Sequence, residues 1–151
     1  MKLGNTWILV ADASRGRILL QRRDGAALER VFTADFRNPG LEPGPTRRQQ
    51  HQQRRTGPHS AARRDRSQRH AHAEFARELA GTLDQATHAA ALDHIVLVAP
   101  PALLGEIRTH MSSPARGRVC AELHKDYVRM TDRELTRRLG DVLYFAPRPA
   151  V

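Results

Sequence analysis

Apolar residues in this 151-residue chain fall into several short runs and one long helical rhythm. Thr6-Trp-Ile-Leu-Val-Ala-Asp12 is a brief apolar run with aromatic and β-branched members, which predicts a buried strand. Ala13-Ser-Arg-Gly16 predicts a turn, and Arg17-Ile-Leu-Leu-Gln21 a return strand. Arg22-Arg-Asp-Gly25 carries the Asp-Gly hairpin signal, and Leu28–Thr33 alternates as a third strand. The first third of the chain therefore predicts an antiparallel meander.

Near Gln68 the period changes. Ala71, Phe75, Ala76, Leu79, Ala80, Leu83, Ala86 and Ala90 recur at helical spacing, predicting one amphipathic helix to about Leu92 with Ser67 or Asp65 as its cap. His94-Ile-Val-Leu-Val-Ala99 is apolar too continuously for an exposed edge and predicts a central, parallel strand. Pro100-Pro101 opens a second helix where proline is tolerated, with Leu103, Leu104, Ile107 and Met111 as its buried stripe. Arg118–Leu123 reads as the fifth strand. Thr131-Asp-Arg-Glu134 is a capping box, Met130 and Leu135 pair as a staple, and Gly140 marks the expected end of the third helix, with Val142–Phe145 as a docked tail. The pattern predicts a single α/β domain over residues 1–148. Its mixed five-stranded sheet is a meander followed by two βα units, with helices on its faces. One core is expected from Ile8, Val10, Phe75, Leu79, Ile95, Leu97, Leu104, Ile107 and Leu135.

Between meander and helix lies a segment of different character. Asn38-Pro-Gly-Leu-Glu-Pro-Gly-Pro45 excludes regular structure, and an Arg/Gln/His tract follows it. Residues 47–70 hold eight arginines against one aspartate, Asp65, so +7 of the chain's net +9 is concentrated there. With so few apolar residues, this tract cannot offset its own ordering entropy by burial. A flexible basic loop at about residues 38–66 is the expectation, and a basic tract on a nearly neutral body points to a polyanion. Arginine binds phosphate bidentately and stacks on bases, so the loop's expected partner is structured RNA. Arg47, Arg48, Gln52, Gln53, Arg54, Arg55, Arg63, Arg64, Arg66 and Arg69 are the candidate RNA-binding residues.

Four segments, in order, resemble the host attachment protein family: Trp7–Ile18, Glu74–Ala80, His94–Arg108 and Glu122–Asp126. That family is similar to the middle domain of the archaeal and eukaryotic class-one peptide release factor, whose topology is RNase-H-like. The resemblance implies the same α/β fold and a functional loop after the meander. In the release factor this loop carries a Gly-Gly-Gln tripeptide that promotes peptidyl-tRNA hydrolysis. Here the matching stretch, about Arg37–Ser67, has no Gly-Gly-Gln, and Gln52-Gln-Arg-Arg-Thr-Gly57 lacks that order. The resemblance thus implies a loop delivered to ribosomal or transfer RNA without the release chemistry.

Other candidate chemistry is thin. Asp12 ends the first strand, where an RNase-H-like nuclease places a metal carboxylate; it also suits acceptance of N–H groups from the Ser14–Gly16 turn. The eight histidines show no zinc-site spacing, and His70 and His72 point to different sides of a helix. Cys120, the single cysteine, reads as a small buried hydrophobe and excludes an internal disulfide. Lys125 and Asp126 follow the fifth strand at an edge where α/β sheets bind ligands, or simply connect strand to helix. No catalytic residue, metal, cofactor or small-molecule substrate is indicated.

No signal peptide opens the chain, and no apolar run approaches the ~20 residues that span a bilayer, so a cytoplasmic protein without a membrane partner is expected. The leading expectation is non-catalytic RNA or ribosome binding, as a translation or ribosome-stress factor. A protein-interaction module in host attachment or stress adaptation is the alternative, and an RNase-H-like nuclease the third. Because hydrolysis needs a preorganised group to place the attacking water, ribosomes carrying labelled peptidyl-tRNA should release no peptide above background with this protein. Stoichiometric release that depends on the basic tract would overturn that expectation.

Overall fold

The structure is a computed structural model that describes residues 4–22, 28–31, 36–38 and 58–145, with the side chains of 58–65 and 141–145 excepted. Six strands form one mixed sheet: β1 (Thr6–Ala11), β2 (Arg15–Gln21), β3 (Glu29–Arg30), β4 (Phe36–Arg37), β5 (His94–Val98) and β6 (Val119–Leu123). Four helices accompany them: α1 (Pro58–His88), α2 (Pro101–His110), α3 (Ser113–Arg116) and α4 (Asp132–Phe145). The strand order is β3-β2-β1-β5-β6, with β4 also pairing β2.

β1 joins the two halves of the sheet. It pairs antiparallel with β2 and parallel with β5, in the registers Leu9↔Ile18 and Leu9↔Leu97. All six of its residues are buried, as a strand covered on both faces must be. Alternation along the strand then divides the core in two. Trp7, Leu9 and Ala11 face α1 and α2 together with Ile18, Ile95, Leu97, Leu79 and Ile107. Ile8 and Val10 face α4 with Leu19, Val96, Val98, Leu135 and Leu139. The residues expected in one core are all buried, but they occupy two layers on opposite faces of the sheet.

Several expected boundaries move. The sheet has six strands, not five, because a two-residue β4 pairs with β2 directly before Asn38. The third strand is short, Glu29–Arg30. The largest change is in α1. It begins at Pro58, ten residues before Gln68, so Asp65 and Ser67 lie inside the helix and residues 58–66 are helical rather than looped. Its first turns are rich in strong helix formers, among them Ala61, Ala62, Arg63, Arg64, Arg66 and Gln68. They carry no apolar stripe, so periodicity alone places the start too late. Residues 39–57, the rest of the expected loop, lie outside the described residues. α4 runs through Gly140 to Phe145. A helical glycine costs only about 1 kcal/mol relative to alanine and ends a helix only where the chain turns left-handed.

The start of α4 matches its sequence signal. Glu134 N donates to Thr131 Oγ1 at 3.1 Å, and Thr131 N donates to Glu134 Oε2 at 3.2 Å, completing the capping box. Arg17 of β2, only 9% exposed, fastens this end of the helix to the sheet. Its guanidinium donates to the carbonyls of Val128, at 2.6 Å, and Met130, and lies 3.1 Å from Asp132 Oδ1.

α1 ends in a Schellman turn. Ala91 N donates to Ala86 O at 2.9 Å and Ala90 N to Thr87 O at 3.1 Å, with Ala90 left-handed at φ 56°. A Cβ in that conformation is strained, and glycine is not. Ala90→Gly should therefore stabilise the protein by about 0.5–1 kcal/mol in a denaturant melt, whereas the same change at a mid-helix alanine should destabilise it by a similar amount.

Candidate nucleic-acid interface

α1 has 31 residues, about 46 Å of helix, whereas the strands beneath it have at most seven residues, about 24 Å. The helix therefore outreaches its support. Among the described residues its buried positions are Phe75, Ala76, Leu79, Ala80, Leu83 and Ala86. Arg66 through His70 are exposed at five successive positions, more than one full turn. Residues 58–70 thus form an arm about 20 Å long that leaves the body at Ala71.

Of the ten candidate RNA-binding residues, Arg63, Arg64, Arg66 and Arg69 lie on this arm. Arg66 and Arg69 are exposed and, among the described residues, make no ion pair. Arg47, Arg48, Gln52, Gln53, Arg54 and Arg55 lie outside the described residues. Charge is balanced where the helix meets the body, where Arg77 Nη1 pairs with Glu74 Oε1 at 3.1 Å. No acidic residue stands in the first turn, so the partial positive charge of the helix N-terminus adds to the arginines.

Asn38 secures the root of the arm. It is 2% exposed, and its Nδ2 donates to Ala13 O at 3.0 Å and to Ala71 O at 3.1 Å. Its backbone N donates to Ser14 O at 2.8 Å. One amide therefore bridges the β1–β2 turn and the helix where the arm departs. Sequence reading passed over Asn38 as the start of an irregular segment. The available hint was Pro39, which biases the residue before it toward extended backbone.

Two cavities flank the arm's root. One, of about 570 Å³, lies beside Asn38 and is lined by Ser67, His70, Phe75 and Glu78 among others. The other, of about 260 Å³, lies at the carboxyl ends of β1 and β5 and is lined by Ala13, Arg69, His72, Pro100 and Glu106. His70 and His72 thus face different cavities, as their two-residue spacing on a helix requires.

Asp12 serves the turn. Its Oδ1 accepts from Ser14 N at 2.9 Å, Ser14 Oγ at 3.0 Å and Arg15 N at 2.9 Å. Among the described residues no three His, Cys, Asp or Glu side chains gather as a metal site would need. Cys120 is half-buried, and burial pushes its thiol pKa up, which disfavours the reactive thiolate. Lys125 and Asp126 are exposed in the connection after β6. Among the described residues no helix is long and apolar enough to cross a membrane.

These features define a mixed-sheet α/β domain with a basic helical arm. The chain belongs to the family of proteins required for attachment to host cells, whose model matches residues 7–139. Among solved structures it is similar to the crystal structure of an archaeal translation termination factor, aRF1, at 9% identity and a TM-score of 0.47. That likeness covers 93% of this chain and 39% of the termination factor, so the chain spans well under half of that protein. No curated protein matches the sequence.

Asn38 gives the site a direct test. Asn38→Ala should cost about 1–3 kcal/mol in a denaturant melt, because it removes two hydrogen bonds made by a buried amide. Asn38→Asp, of the same shape, turns an acceptor toward two carbonyls and should cost at least as much. A neutral effect of both would show that the bridge does not hold the arm's root.

Proposed function

We propose that this protein is a non-catalytic, cytoplasmic RNA-binding protein that presents an arginine-rich segment to structured RNA, ribosomal or transfer. The observation that carries this reading is the arm: a stretch of α1 exposed at residues 66–70, where Arg66 and Arg69 make no ion pair among the described residues. Arg66 to His70 are exposed, so their sequence is under small demand from packing. Their charge is the property left to account for. A helix spaces its guanidinium groups at a fixed rise of about 1.5 Å and turn of about 100° per residue, and each phosphate they neutralise releases counterions. The positive end of the helix dipole points the same way. Residues 47–55, with four more arginines, extend the same charge along the chain.

The family's description, attachment to host cells, accommodates a second reading as a protein-interaction module. The two readings part over salt and partner. Changing Arg63, Arg64, Arg66 and Arg69 to Gln keeps helix propensity while removing the charge. The variant should melt within about 0.5 kcal/mol of the parent. Its affinity for structured RNA in filter binding should fall, with the salt slope flattening by up to about 3. Unchanged affinity and slope would overturn the RNA reading and leave the protein-interaction one.

A further inference from the structure

We propose that Arg15 and Arg37 form a second phosphate-binding point on the sheet face opposite the arm, holding the backbone of the same RNA. The inference rests on the RNA reading above and extends its footprint to residues that sequence analysis did not single out.

The two residues are direct cross-strand partners, Arg15↔Arg37, next to the pair Gly16↔Phe36. Phe36 packs on the α1 side, and a Cβ on Gly16 would point to Leu79 of α1 at 3.5 Å. Alternation then places Arg15 and Arg37 together on the α4 side. Arg17 is on that side too, and so is Arg30, the partner of Leu19. Four guanidinium groups therefore share one face of the β2 edge.

Asp132 is paired with this group, and it is already committed. Asp132 lies 3.1 Å from Arg17 Nε through Oδ1 and 2.7 Å from Arg30 Nε through Oδ2. Arg15 and Arg37 are exposed and have no ion pair among the described residues. Like charges directly opposed in an antiparallel pair, with Cβ atoms about 5 Å apart, repel and destabilise the sheet. An anion between the two forks converts that repulsion into attraction, and phosphate matches arginine's planar donors.

The position is also held still. Asp12 Oδ1 accepts from Arg15 N at 2.9 Å, and buried Asn38 follows Arg37 directly in the chain. Because Asn38 also bonds Ala71 O, the arginine pair and the arm arise from the same corner of the molecule. Strain retained at a rigid, charged point is the expected signature of a binding residue, where stability is given up for function.

The experiment uses the full chain with Arg15→Gln, Arg37→Gln and the double change, beside an Arg66→Gln/Arg69→Gln arm variant. Thermal melts should show Tm rising by about 1–3 °C in the double variant as the repulsion is relieved. Its affinity for a structured RNA hairpin should fall about tenfold, and the salt slope should flatten by about 0.7–1.8. A lower Tm with unchanged RNA affinity would make the pair structural and overturn the proposal. Binding of the parent to phosphatidylserine vesicles but not to RNA would overturn it as well. If the arm variant loses affinity and the double variant does not, this inference falls and the RNA reading stands. If neither loses affinity, both fall.

Discussion

Burial of β1 on both faces is the constraint on which the rest of the structure depends. A strand with no exposed side must be covered from both directions, and this one is covered by α1 and α2 below and α4 above. It must also be paired at both edges, and its two neighbours run in opposite senses. The antiparallel hairpin and the parallel βα units are thereby fused into one sheet. Every feature of the candidate interface is placed from the carboxyl end of this strand: the Asp12 turn, the Asn38 bridge and the departure of the arm.

The second organising contact is more costly. Arg17 takes its guanidinium almost wholly out of water, at 9% exposure. A buried ion pair repays its desolvation only when the remaining donors are also satisfied. Here the carbonyls of Val128 and Met130 accept from two guanidinium nitrogens, while Nε and Asp132 Oδ1 meet at 3.1 Å as an ion pair without hydrogen-bond alignment. The arrangement fixes the angle at which α4 meets the sheet, since an apolar contact would permit sliding where directed hydrogen bonds do not. It also commits Asp132, which Arg17 shares with Arg30.

Much of the scaffold was legible in the sequence. The strand of His94–Val98, the helix opened by Pro101 and the Thr131–Glu134 box each announce themselves through periodicity or a local hydrogen-bond motif. What escaped has a common physical cause. Residues 58–66 are helical by propensity without an apolar stripe, so a reading led by hydrophobic period treats them as loop. β4 is two residues long, too short for alternation to register. Asn38 and the Arg17–Asp132 contact join residues far apart in sequence, and no local pattern encodes them. Arg63, Arg64 and Arg66 were legible as charge, but their place on a helix was not.

A helical arm also has a phase. Each residue added to a helix advances it by about 1.5 Å and turns it by about 100°. Between Ala71, where the arm is fastened, and Arg63, a single inserted residue would swing the outer arginines by more than a quarter turn relative to the body. An insertion of seven would return them close to their original bearing, about 10 Å farther out. Length variation in this segment is therefore graded by angle before it is graded by distance. Changes of one or two residues re-aim the arm, and changes of whole heptads only extend it.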